Sequence, residues 1–294
     1  MNFMYFDVSR IFGETEREKK GDFAECLETY ETTGFSHRWI QPPVVCYFVT
    51  TMDEHGNTNC TPVSMGTAFC AAPPDLKWCF TFALSNDRHA RRNLDIGGEC
   101  VISYYPYTLL RESAITGLPV PDGINEMDIA GLTPLPSHKV KPCGIQECIS
   151  NLEAKVIERV PVSGSTYYIL EVVAVSVQTH MVEKDKALPL EPGLALGDLL
   201  YEVSIKGTPP RLNYTRMNYE EVLPTPADIG SDEHWIGTFN DWMEAEERRG
   251  KITPIQKKHI LELNKIWQTN PDPVANEKVK RDLTDALKEI VKAK

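Results

Sequence analysis

No C-x-x-C pair occurs in this chain, although it carries eight cysteines, at 26, 46, 60, 70, 79, 100, 143 and 148. Metal and iron–sulfur sites ordinarily need that tight pairing, so no metal site is expected. Cys46, Cys79 and Cys100 lie in apolar, strand-like runs and read as small buried hydrophobes. No apolar run approaches the roughly 20 residues that cross a bilayer. The start MNFMYFDVSR also lacks the basic-then-apolar order of a secretory leader. No membrane partner is expected, and a cytoplasmic location is the default. Positive charge is scarce, with a formal net charge of −11. An acidic surface works against the counterion release that drives nucleic-acid binding, so no nucleic-acid partner is expected either. H-E-x-x-H, a Walker-type glycine loop and a Ser-His-Asp order are all absent. Those absences remove the zinc-protease, P-loop and triad-hydrolase readings and leave no catalytic residue to name.

What the chain does have is ordinary globular composition, 41% apolar and 25% charged, ample for a large core. Residues 1–38 read as a polar, irregular or partly helical lead-in, ended by Pro42-Pro43. Val44–Thr51 is a strand by composition, Asp53–Asn57 a turn, and Thr58–Ser64 the returning arm of a hairpin. Lys77–Leu84 and Glu99–Tyr105 are further strands. A short helix fits 87–96 between them, with Asn86 or Asp87 as its N-cap and Gly97-Gly98 as its stop. Residues 106–150 are rich in proline and glycine and read as a long loop that is functional or covers a site. Leu152–Val160 and Tyr167–Thr179 pair as a second hairpin across Pro161–Thr166. Short strands with one intervening helix predict a closed or nearly closed β-barrel rather than a doubly wound sheet.

The character changes after residue 211. Amphipathic stretches follow at 232–249, with Trp235, Phe239 and Trp242 on one face, at 253–267, and at 276–292. The second opens with the capping box Thr253–Gln256 and proline at the first helical position. The third carries the stripe Val279, Leu283, Leu287 and Ile290. The tryptophans fall at helical core spacing and read as packing residues rather than a ligand cage. Residues 212–294 thus form a helical C-terminal extension to a β domain at 39–211.

The stretch from Asn59 to Asn93 concentrates the chemistry. It opens with small residues, Thr61, Pro62, Ser64, Gly66, Thr67 and Ala68, where a flat ligand can approach the backbone. It ends at the helix start Ser85-Asn86-Asp87, followed by Arg88, Arg91 and Arg92. A helix start offers free N–H groups and partial positive charge, the ordinary equipment for a phosphate. Together these features suggest a nucleotide or flavin. Plainer accounts also fit: the arginines as a solvated helix face, Thr61 and Ser64 as strand-end hydroxyls, His89 as a surface histidine. Cys60 reads as an inert buried thiol before a redox one, since nothing in the sequence lowers its pKa.

Residues 39–180 resemble the flavin reductase-like, FMN-binding split-barrel proteins, or flavoredoxins. The motifs run in order: Asn59-Cys60-Thr61-Pro62-Val63-Ser64, Ala72-Pro73-Pro74, Arg88-His89-Ala90-Arg91-Arg92-Asn93, Gly98-Glu99, Asn125 to Pro134 with its AGLTP ending, and Val140-Lys141-Pro142. The resemblance implies a mainly β fold with helical additions, a six-stranded Greek-key split β-barrel, in a homodimer that binds FMN near the subunit interface. It places Asn59, Thr61, Pro62, Val63 and Ser64, with Thr81, along the isoalloxazine and ribityl chain. It places Ser85, Arg88, His89, Ala90, Arg92 and Asn93 around the phosphate. Many members have threonine where this chain has Ala90, so the arginines would supply the phosphate contact instead. Asp87, if it capped the helix, would compete with that phosphate for the same N–H groups. The implied activity is FMN-dependent transfer of hydride or electrons, with a reduced nicotinamide, a second flavin or an electron-carrier protein as partner. The alternative is a non-catalytic flavin- or haem-binding module for electron transfer or sensing. The extension would wrap a second subunit or close the pocket.

Overall fold

The computed structural model describes residues 45–64, 66–70, 77–178, 182–183, 186–187, 199–203, 212–216, 238–270 and 273–292. The lead-in 1–38, Pro42-Pro43, Ala72-Pro73-Pro74 and Trp235 lie outside the described residues. In chain order the elements are β1 (Tyr47–Met52), β2 (Thr58–Val63), β3 (Gly66–Cys70), β4 (Trp78–Ser85), α1 (His89–Gly97) and β5 (Glu99–Tyr104). A 3-10 turn (Tyr107–Leu109), α2 (Leu110–Thr116), α3 (Glu126–Ala130), β6 (Pro134–Leu135) and β7 (Gly144–Ile145) follow, then β8 (Ser150–Val162) and β9 (Ser165–Val177).

The main sheet has seven strands, antiparallel throughout, in the order β2-β1-β5-β8-β9-β4-β3. Its edges are β2 and β3, which are also neighbours in sequence: Val63 ends one and Gly66 begins the other. A flat sheet of this width would separate its edges by about 29 Å, whereas three residues reach about 10 Å. The sheet must therefore curl until its edges nearly meet, leaving them adjacent but unpaired. That is a split barrel, and the expected closure is realised without a closing ladder.

Local chemistry explains the hairpins. The Asp53 carboxylate accepts the N–H groups of His55 (2.9 Å) and Asn57 (2.8 Å), and Gly56 takes φ 84, so the first turn forms where expected. The second turn is tighter than the sequence implies. Pro161 and Val162 stay in β8 opposite Thr166 and Ser165, and only Ser163-Gly164 reverses the chain, with Ser163 at φ 52. Inside the barrel Tyr47, Val49, Phe80, Phe82, Ile102, Leu152, Tyr168 and Leu170 form a buried core.

Gly66 corrects the idea of a ligand shelf along the whole small-residue stretch. Gly66–Cys70 is strand β3, and a Cβ at Gly66 would run into the Thr81 carbonyl, the Tyr47 hydroxyl and Phe82. The protein itself fills that space. Gly66→Ala is therefore expected to cost about 1–3 kcal/mol by overpacking, read as a lower urea midpoint with an unchanged slope.

The 106–150 region is not merely loop. Asn125 caps α3 by accepting the Met127 N–H at 3.0 Å, and Gly131 ends it in the left-handed region. Its apolar face is covered by α4 (Phe239–Arg248), α5 (Pro254–Thr269) and α6 (Pro273–Lys292). Ile115, Val120, Ile124 and Ile129 pack there with Trp242, Met243, Ile260, Leu263, Leu283 and Leu287 in one buried cluster. The capping box at Thr253–Gln256 forms as read, and a second one, Thr238–Asp241, opens α4. Trp242 is 1% exposed, a packing residue, while Leu283, Leu287 and Ile290 form the buried stripe of α6. These helices belong to the same compact unit, Val44–Lys294, as the barrel. Between barrel and helices, Leu199–Val203 pairs with Leu212–Arg216, so the segment after 211 begins with a strand. No helix among the described residues is long and apolar enough to cross a membrane.

Candidate functional site

Helix α1 begins where β4 ends, and its entry departs from the expected cap. The N-cap is Arg88 (φ −75, ψ 142), with no side-chain cap and no acid in the first turn. Asn86 is engaged elsewhere: its N–H donates to the Gly164 carbonyl (2.9 Å), its Nδ2 to the Ser163 carbonyl (3.3 Å), and its Oδ1 accepts from Thr166 (3.0 Å). The β8–β9 turn has claimed it. Asp87 lines the cavity at this entry but does not cap the helix; its backbone carbonyl accepts from Arg92 at 3.2 Å. The carboxylate competition expected at the first-turn N–H groups is thus absent, and the helix start has no side-chain cap.

That start opens into a cavity of about 290 Å³. Asn59 and Thr61 of β2 form one wall, and Asp87, Arg88, His89, Ala90 and Arg92 another. Residues 116–122 and Glu126 line a third side, and Thr238, Phe239 and Gln268 of the C-terminal helices a fourth. The other residues assigned from sequence do not line it. Pro62 stands beside Gly117, and Val63 is buried in the barrel core. Ser64 follows β2 and is half-buried. Thr81 is buried and donates to the Thr67 carbonyl at 3.3 Å, while Ser85 accepts the Arg88 N–H through its own carbonyl. Arg91 lies outside the cavity and pairs with Asp95 at 2.9 Å.

Asn93 points inward, and a buried relay ties it to the cavity wall. Its Nδ2 donates to the Thr51 hydroxyl (3.1 Å), which donates to Asn59 Oδ1 (3.4 Å). Asn59 Nδ2 then donates to Glu126 Oε1 (2.6 Å), whose other oxygen accepts the Cys60 N–H at 2.9 Å. Glu126 is 4% exposed. Burial pushes its carboxyl up to about 8, and the hydrogen bonds from Cys60 and Asn59 only partly offset that. Near neutral pH this cavity wall therefore holds a proton. The sequence offered one signal for it, an acid placed directly between Asn125 and the apolar Met127. Cys60 is fully buried and its thiol is pushed well up by burial, so it is an inert core cysteine. None of the described cysteines is in a disulfide.

Asp122 was not legible as a site residue. Its carboxylate pairs with His89 Nε2 and with Arg92 (2.7 and 2.8 Å), and those partners, His89 first, hold it below the usual carboxylate range. Its carbonyl accepts the Trp267 indole N–H at 2.8 Å. A carboxylate thus sits where an anionic ligand would use the same donors. Asp122→Asn is expected to tighten inorganic phosphate binding several-fold. Its cost in stability should stay below about 1 kcal/mol, because the pair is exposed. Isothermal titration and urea unfolding check the two parts separately.

A family model described as a flavin reductase like domain matches residues 42–216. Among solved structures, a split-barrel protein from Shewanella frigidimarina described as a flavin reductase is 18% identical with a TM-score of 0.50, covering 70% of this chain and 99% of its own. Flavoredoxin of Desulfovibrio vulgaris is 19% identical, TM-score 0.49, with coverages of 64% and 92%. The 2-nitrobenzoate 2-nitroreductase of Pseudomonas fluorescens is 17% identical, TM-score 0.48, with coverages of 70% and 100%. The Shewanella structure shares the fold, and the family match spans more than half of the chain. The chain belongs to the flavin reductase-like family of split-barrel proteins.

Proposed function

We propose that this chain is an FMN-dependent oxidoreductase that holds the FMN phosphate at the entry of α1. The observation that carries the reading is the entry itself, free of any side-chain cap and opening into a cavity lined by Arg88, His89 and Arg92. Free first-turn N–H groups and two guanidinium groups suit a dianionic phosphate. The arginines supply what a hydroxyl at position 90 would have supplied. Asn59 and Thr61 on the adjoining wall present polar groups to the rest of the ligand. FMN, when bound, accepts and passes on hydride or electrons from a reduced nicotinamide or an electron-carrier protein, while the chain supplies orientation and polarity. Glu126 holds a proton at the wall, the one group on this side of the cavity suited to proton exchange near pH 8.

The working unit in this reading is a cytoplasmic homodimer. The β8–β9 hairpin favours it, because Ile157 and Val162 are 50% and 58% exposed on long strands that extend beyond the buried part of the sheet. Sedimentation of the intact protein tests that part, and a monomer at micromolar concentration would reject it. For the activity, apoprotein is loaded with FMN and its absorbance followed on adding a reduced nicotinamide. Bleaching of the flavin band with turnover in air is expected. Protein that takes up no FMN rejects the cofactor, and bound FMN that no nicotinamide or electron carrier reduces rejects the enzyme.

A further inference from the structure

The family match ends at residue 216, yet Thr238, Phe239 and Gln268 line the same cavity as the arginine-bearing entry of α1. We infer that the C-terminal helices are a specificity wall that admits a flavin ending in a monophosphate and excludes one whose phosphate continues into a second nucleotide. The inference rests on the FMN reading of the site and adds to it which flavin the site takes and which residues decide.

Three observations support it. The cavity, about 290 Å³, sits at the bottom of the roughly 300–1,000 Å³ range of small-ligand sites, which favours a compact ligand over a dinucleotide. The wall is also anchored. Trp267 donates to the Asp122 carbonyl (2.8 Å), Lys280 Nζ donates to Asn57 Oδ1 (2.6 Å), and Arg111 donates to the Val291 carbonyl (2.7 Å). These bonds join α5 and α6 to the 106–150 region and to the β1–β2 turn. Finally, Phe239 is fixed by an edge-to-face contact with the buried Trp242, ring centroids 6.0 Å apart. An aromatic ring so held does not swing aside cheaply. A diphosphate-linked adenosine leaving the Arg88–Arg92 entry shares the cavity with Thr238, Phe239 and Gln268.

The test is a flavin fluorescence titration of intact apoprotein with riboflavin, FMN and FAD, repeated on Phe239→Ala and Gln268→Ala. Gln268 is exposed, so its replacement does not threaten folding, and circular dichroism melts check Phe239→Ala. The wild type is expected to bind FMN at least tenfold tighter than FAD, and the ratio to fall at least threefold in one or both variants. Equal binding of FMN and FAD by the wild type overturns the wall. So does an FMN-to-FAD ratio that stays the same in both folded variants. Binding of none of the three flavins overturns the FMN reading beneath it, and with it the wall, which separates the two failures.

Discussion

Replacing Arg88 and Arg92 together with glutamine is expected to weaken FMN binding by about two orders of magnitude while leaving riboflavin within twofold. Both guanidinium groups line the cavity at the start of α1, and only the phosphate distinguishes the two ligands. A hydrogen bond to a charged group contributes about 1.5–3 kcal/mol. Both arginines are exposed, so solvent and salt push each contribution toward the low end, about 1.4 kcal/mol, or tenfold apiece. The shares are not equal. Arg92 must leave Asp122 to meet a phosphate, whereas Arg88 pairs with no carboxylate among the described residues. Arg88→Gln alone should therefore cost more than Arg92→Gln alone, and Asp122→Asn should reverse part of the Arg88→Gln loss. Arg91 supplies the control: it pairs with Asp95 away from the cavity, so Arg91→Gln should change FMN affinity less than threefold. Riboflavin and FMN weakening in parallel, or neither weakening, would remove the phosphate from this helix entry.

How much of this was legible beforehand follows a physical line. The first hairpin was readable because its turn is specified by neighbours: Asp53 binds two N–H groups within four residues. The capping box of α5 is equally local. Strand β3 was not readable, because Gly66 and Ala68 have little strand propensity and the short segment becomes a strand by pairing with β4. Helices α2 and α3 were hidden because they are short and bracketed by prolines and glycines, with stability supplied by packing against α4–α6 rather than by propensity. The N-cap of α1 was misread for the same kind of reason: a turn almost eighty residues away competes for Asn86, and no local rule sees it. The site divides likewise. Asn59, Thr61, Arg88, His89 and Arg92 come from two contiguous stretches whose chemistry shows in the residue types. Asp122, Glu126, Phe239 and Gln268 reach the cavity only through tertiary folding.

Glu126 carries the largest expected effect on stability. Its oxygens accept the Asn59 side-chain N–H and the Cys60 backbone N–H in a fully buried setting. Glu126→Ala orphans both donors, and at about 1–3 kcal/mol each the expected loss is roughly 2–6 kcal/mol. Glu126→Gln is milder, since its carbonyl still serves one donor while its amide faces the other. The pH dependence separates the carboxyl's titration from this packing loss. In the unfolded chain the group titrates near 4.5, and in the fold near 8. Below about pH 4.5 both states hold the proton, and the stabilisation relative to the charged form is complete. Between 4.5 and 8 the unfolded chain releases the proton and the folded chain keeps it, so stability falls as pH rises, by up to about 1.4 kcal/mol per unit. Above 8 the loss levels off. Cys60, Asp87, Arg88, His89, Arg92 and Asp122 face the same region and are shared by wild type and Glu126→Gln, so the difference between the two proteins isolates residue 126. Urea unfolding from pH 5 to 8.5 should show the wild-type advantage over Glu126→Gln shrinking steadily across that range. An advantage that stays constant, or grows toward pH 8, would mean that the carboxyl is already ionised in the fold and that the cavity wall holds no proton.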